Sequence, residues 1–289
     1  MITFNRILFP VDLSGQSRAV EPFVRAMAKC FDSEIVVLHV VDIPDSHRST
    51  EAAGESGPSG IGRLRREAAA ALDRFIAQQL AGARVSPLVM EGDAARQIVD
   101  YAHDHQVDLI MMPTHGYGPF RALLLGSIAA KVLHDVHCPV WTGVHAEQMT
   151  SHLPVRWKRI LCAVDTDEDG ESVLKWAWQF ARQQSLELQL VHAVAGADGM
   201  WTAESDPSMY EFLFHAARER LAKLQARAGT NLEIRLTGGG VGSAVRQAAL
   251  EYDADLIVIG RGAIHTSFGR LKNSGYSIIR TAPCPVISL

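Results

Sequence analysis

Arg6-Ile-Leu-Phe-Pro-Val-Asp12 returns 153 residues later as Arg159-Ile-Leu-Cys-Ala-Val-Asp165, and that recurrence decides how the chain is read. At the same offset Ile35-Val-Val-Leu-His-Val-Val41 matches Leu188-Gln-Leu-Val-His-Ala-Val194. Val107-Asp-Leu-Ile-Met-Met112 matches Ala254-Asp-Leu-Ile-Val-Ile259 at offset 147, and His137-Cys-Pro-Val140 matches Pro283-Cys-Pro-Val286 at offset 146. Four matches in conserved order, drifting only as loop lengths drift, mark an internal duplication. The boundary falls in the polar, proline-containing stretch Thr150–Lys158, which gives two domains, 1–148 and 156–289.

Within each copy, short β-branched runs alternate with helical segments. Strands are expected over 6–12, 35–41, 84–90, 108–113 and 139–144, and again over 159–165, 187–194, 232–237, 255–260 and 285–289. Between them, Ser17–Phe31 sets Val20, Phe23, Val24 and Met27 on one face. Arg63–Leu80 is built of strong helix formers, and Asp93 stands where it can cap a helix over 93–105. Strand–helix alternation implies an α/β fold, with a mostly parallel sheet covered on both faces. The segment Asp45–Gly62 is expected to be a surface loop. Its counterpart Ala195–Pro207 carries Met200-Trp-Thr, a tryptophan better suited to packing than to ligand contact.

Composition narrows the function classes. In 289 residues, 28 basic side chains face 32 acidic ones, a formal net of −4, so no clustered cationic surface for nucleic acid or anionic membrane is expected. No signal-peptide pattern opens the chain, and no apolar run reaches the roughly 20 residues of a membrane span. The four cysteines, Cys30, Cys138, Cys162 and Cys284, lack C-x-x-C spacing; the expectation is reduced, mostly buried thiols in a cytoplasmic protein.

In open α/β sheets ligands sit beyond the carboxyl ends of the strands. After the fourth strand comes Met112-Pro-Thr-His-Gly-Tyr-Gly-Pro-Phe-Arg-Ala-Leu-Leu-Leu-Gly-Ser127, leading into a helix over 128–134. Gly126-Ser127 stands where that helix begins, so its amides and dipole can hold an anion, while the Ser127 hydroxyl can add a donor or simply cap the helix. Asp12, at the end of the first strand, can accept from a ribose hydroxyl or a base amine, or can cap the next helix. Its recurrence as Asp165 favours a site. Val40, at the end of the second strand, can offer backbone groups to a base.

Taken together, Val-Asp-x-Ser after strand one, Leu-His-Val-Val-Asp after strand two, Thr-His-Gly…Leu-Leu-Leu-Gly-Ser after strand four and Cys-Pro-Val before strand five resemble the universal stress protein family. The likeness runs through the chain twice, as in tandem-domain members. It implies two Rossmann-like domains of the adenine nucleotide alpha hydrolase-like type, each a five-stranded parallel sheet of order 3-2-1-4-5. It further implies pairing of the two domains through their fifth strands and an adenine nucleotide as ligand; the two repeats are expected to pack as a pseudo-dimer, with a homodimer of two chains open as a further level. The family's nucleotide loop reads Gly, two residues, Gly, nine residues, Gly-Ser/Thr. Here Pro113 replaces the first glycine and removes a backbone donor, while Gly116 and Gly126-Ser127 fit. The resemblance assigns adenosine to Asp12 and Val40, and phosphates to Gly116, Gly126, Ser127 and Ile128. Val11, Met112 and Pro113 complete the expected set.

The second copy departs further. Gly260-Arg-Gly262 is followed after nine residues by Lys272-Asn273, where Gly-Ser would stand. Lys272 can touch a phosphate as a point charge or fill its space. Asp165 and Ala193 are kept, but Thr166-Asp-Glu-Asp169 crowds acidic groups near the anion's place. This site, Asp165, Ala193, Gly260, Gly262, Lys272 and Asn273, is expected to be altered or vacant. His103-Asp-His105 and His134-x-x-His137-Cys138 gather too few converging ligands for a metal. Without a nucleophile–base pair no efficient enzyme is expected. The expectation is a cytoplasmic stress-response protein of regulatory role that binds ATP, or another adenine nucleotide, in the first domain, with Mg able to accompany ATP and an unidentified protein as partner. A nucleotide-free interaction scaffold and a slow ATP hydrolase are the alternatives.

Overall fold

A computed structural model describes residues 1–42, 60–114, 125–143, 155, 157–166, 168–194, 206–261 and 273–289. The first half runs β1 (Arg6–Pro10), α1 (Gly15–Phe31), β2 (Glu34–Val41), α2 (Gly60–Gln79), β3 (Val85–Glu91), α3 (Ala94–Asp104), β4 (Leu109–Pro113), α4 (Ser127–Asp135) and β5 (Val140–Gly143). The second repeats it as β6 (Arg159–Ala163), α5 (Glu168–Gln184), β7 (Glu187–Ala193), α6 (Pro207–Ala228), β8 (Ile234–Thr237), α7 (Val241–Tyr252), β9 (Leu256–Ile259), α8 (Asn273–Thr281) and β10 (Val286–Ser288). Two compact units result, one built around Thr3–Val140 and the other around Arg156–Leu289. Residues 45–59 of the expected surface loop Asp45–Gly62, the segment holding Trp201 and most of the 150–158 boundary lie outside the described residues, whereas Gly60–Gly62 open α2 and so correct the expected loop.

Strand order is β3-β2-β1-β4-β5 in the first half and β8-β7-β6-β9-β10 in the second, the expected 3-2-1-4-5. The registered pairs are parallel: Ile7 lies opposite Ile35 on one side and Leu109 on the other, and Ile160 opposite Leu188 and Leu256. Central strands read as unbroken apolar runs because helices cover both faces. Ile7, Leu8, Phe9, Leu109 and Ile110 are fully buried, as are Ile160, Leu161, Leu256 and Ile257. The outer strand β3 is only partly buried and accommodates Pro87, opposite Val37.

The recurring Arg and Asp of the repeat have a structural task. Asp108 Oδ2 accepts from the Arg6 amide, and the Arg6 guanidinium reaches the His105 carbonyl at 2.6 Å. Asp255 Oδ2 accepts from the Arg159 amide, and Arg159 reaches the Tyr252 carbonyl at 2.8 Å. Each pair ties the first strand to the helix end that precedes the fourth. Cys162 and Cys284 are buried and Cys138 is half-buried, whereas Cys30 is exposed, so burial is less general than expected.

Asp93 caps α3 as expected, accepting from the Arg96 amide at 2.7 Å. That amide, assisted by Lys131, holds the carboxyl below the usual aspartate range. Asp93→Ala should cost the first half about 1 kcal/mol in denaturant unfolding at neutral pH. Folding lowers this pKa, so the contribution is complete above the unfolded value of about 3.9 and vanishes as pH falls through the folded value. The gap between variant and wild type should therefore close in acid.

Candidate functional site

β1 stops at Pro10, two residues short of the expected strand, and the ladder to β2 ends where the Asp12 amide leaves it. The Val11 amide donates to the Leu38 carbonyl at 2.8 Å, and the Asp12 amide donates to the Ser17 hydroxyl. Leu13 then adopts a left-handed φ of 60°, a conformation that non-glycine residues seldom take and that turns the chain sharply into α1. Ser14 is the cap of that helix, accepting from the Gln16 and Ser17 amides. Asp12 is not the cap. Its Oδ1 accepts from the Ser14 amide at 3.0 Å and from the Ser17 hydroxyl at 2.7 Å, which fixes the carboxylate at the sheet's rim.

His39 steadies the same corner. Its Nδ1 donates to the Val11 carbonyl at 2.9 Å, since a carbonyl can only accept. Across the sheet, the Gly126 amide donates to the Thr114 carbonyl at 2.9 Å. Gly126 is the N-cap of α4, with no side-chain cap bond, and the helix opens at Ser127, one residue earlier than expected. Ser127 is thus inside the first turn and does not cap it. With the Gly126 amide already engaged, the donors this helix start offers are the amides of Ser127, Ile128 and Ala129, which have no acceptor within the helix.

These corners meet in a cavity of about 580 Å³. Val11, Asp12, Val40, Met112, Pro113, Gly126, Ser127 and Ile128 all line it. Gly116 lies outside the described residues. Sequence reasoning missed Ser17, His39, Asp42 and Asp93 as members of this lining. The recurrence of His39 as His192 was the available signal for one of them.

In the second half Asp165, Ala193 and Gly260 line a smaller cavity of about 350 Å³. Asn273 is the first residue of α8, while Gly262 and Lys272 lie outside the described residues. The histidine clamp is repeated, with His192 Nδ1 donating to the Val164 carbonyl at 2.8 Å. The Asp165 carboxylate accepts from the Thr166 amide, and Gly170 stands where the first copy has Ser17. Asp169 and Arg220 also face the cavity. Of the acidic group expected to crowd this site, Asp169 lines the cavity, while Asp167 lies outside the described residues. Asp12, Asp42 and Asp93 line the first cavity, whereas the second combines Asp165 and Asp169 with an arginine.

The histidine pairs have other partners. His105 donates to the Tyr101 carbonyl and stacks on the Tyr101 ring, while His134 pairs with Asp135. The His103 and His137 rings lie 4.9 Å apart, and no group of three or more metal-ligating side chains converges among the described residues. Nor is any described helix long and apolar enough to cross a membrane.

Comparison with known proteins agrees with this fold. The model of the universal stress protein family matches residues 3–142 and again 156–288. A universal stress protein of Methanocaldococcus jannaschii is 30% identical over 138 residues, spanning 47% of this chain and 80% of that protein. One from Synechocystis is 32% identical over 140 residues, 48% of this chain and 85% of the relative. The crystal structure of a universal stress protein from Archaeoglobus fulgidus superposes with a TM-score of 0.68 at 25% identity, covering 99% of this chain and 96% of that one. Matched twice along its length by one family model and carrying that family's fold in each half, the chain belongs to the universal stress protein family.

Proposed function

We propose that the first domain, 1–148, binds an adenine nucleotide, with ATP preferred, and that occupancy serves regulation in the cytoplasm rather than turnover. One observation carries the reading. The uncapped start of α4 opens onto the same cavity as the fixed Asp12 carboxylate and Val40. Asp12 faces the sugar or base, Val40 supplies backbone groups to the base, and the Ser127 and Ile128 amides meet phosphate. Three carboxylates line this cavity, so a triphosphate entering it is best accompanied by Mg, which screens the like charge.

Calorimetric titration of the purified chain with ATP tests this, alongside mass spectrometry of small molecules released on denaturation. Saturable ATP binding and a co-purifying adenine compound are expected. Absence of both removes the nucleotide reading. A nucleotide-free scaffold then takes its place, the alternative that Pro113 favours, because it lines the cavity without an amide to donate.

A further inference from the structure

Two helices start at the first cavity, and a charged pair joins them. Asp93 lines that cavity and caps α3, and its Oδ1 lies 3.4 Å from the Lys131 ammonium on α4. Lys131 follows Ser127 by one turn, so both stand on one side of α4, about 6 Å apart along its axis. Side chains on a helix lean toward its N-terminus, which carries this ammonium back toward the Ser127 and Ile128 amides. Among the described residues, Asp93 is the only one of the lining carboxylates with a cation at ion-pair distance.

The second half shows that the fold does not need this pair. Along the matched helices, Gly240 stands where Asp93 does and Ser277 where Lys131 does. Gly240 starts α7 with no side-chain cap bond, and the two helices meet through Gly242 and Ser277, with the Thr281 hydroxyl donating to the Gly242 carbonyl at 3.1 Å. The same two helices are thus built without a charge at either position. In the first half both members of the pair are exposed, and an ion pair so wetted stabilises little and is readily exchanged. A polyphosphate is the exchange partner that the surroundings favour. Its outer phosphates reach beyond the helix start, carry the charge that an ammonium attracts, and would otherwise face Asp93 as like charge.

We propose that Lys131 is a specificity-determining residue of the first cavity: it leaves Asp93 for the outer phosphates of an entering nucleotide and so favours a polyphosphate over a monophosphate. This role presupposes the nucleotide reading given above.

Calorimetric titration of the full chain with ATP and with AMP, both in the presence of Mg, tests it. Lys131→Met should lower ATP affinity about tenfold with AMP affinity unchanged, and should make ATP binding less sensitive to salt. Lys131→Arg should retain most of the preference for ATP. Asp93→Asn keeps an acceptor for the Arg96 amide, so α3 stays capped, and the freed lysine should raise ATP affinity severalfold. The proposal falls if Lys131→Met binds ATP as the wild type does, if it loses ATP and AMP in equal proportion, or if Asp93→Asn weakens ATP. A wild type that binds neither nucleotide removes the first-cavity reading and this role together, whereas a wild type that binds ATP without regard to Lys131 removes this role alone.

Discussion

Gly126→Lys is expected to lower ATP affinity by about 100-fold or more while leaving the fold intact. The backbone at Gly126 has φ −60° and ψ 146°, an extended conformation open to any residue, so lysine introduces no backbone strain there. Its amide can still donate to the Thr114 carbonyl. What changes is the lining of the cavity, where a long side chain now occupies the space in front of the Ser127 and Ile128 amides. Losing two charge-assisted hydrogen bonds to phosphate accounts for an effect of this size. Because an ammonium group also attracts phosphate, Gly126→Leu is the companion variant, and it should weaken binding at least as much. Calorimetry gives the affinities and circular dichroism the fold. Wild-type affinity in both variants would remove this helix start from the site.

Gly170→Ala should destabilise the second half by about 3 kcal/mol or more, at the upper end of what overpacking costs. The added Cβ would overlap the Asp165 carbonyl oxygen and press on Leu224 Cδ1. A carbonyl cannot rotate away as a side-chain tip can, so the start of α5 must move and α6 with it. Denaturant unfolding followed by hydrogen exchange should show weakened protection across Glu168–Gln184 and Pro207–Ala228, with the first half unaffected. Unchanged stability would mean that Gly170 does not approach the Asp165 carbonyl and Leu224 as closely as these spacings indicate.

The duplication and the strand–helix alternation were legible because they are written in local periodicity: Arg6–Pro10 and Arg159–Ala163 could hardly be anything but buried parallel strands. The expected first-cavity residues within the described segments also came together, since the ends of parallel strands share one rim. What stayed hidden depends on contacts far apart in sequence. Whether Asp12 or Ser14 capped α1 turned on where β1 ends, and that was settled by the Asp12 amide finding the Ser17 hydroxyl. The bond from His39 to the Val11 carbonyl spans 28 residues, and no spacing rule announces it. Acidity was legible only where it is local. Thr166-Asp-Glu-Asp169 is a visible cluster, but Asp12, Asp42 and Asp93 are scattered in sequence and gather only when the strands align. Arg220 went unnoticed because it lies on α6, far in sequence from the strand ends whose rim it joins.

Pro87 carries a consequence for how molecules of this protein meet one another. The outermost ladder of the first half presents an open row of main-chain groups to which a stray extended segment could attach. An imino acid in mid-row lacks the hydrogen that such an attachment needs, and its ring keeps a flat intruder at a distance. The margin is thereby guarded against uncontrolled self-association, with no covering strand among the described residues.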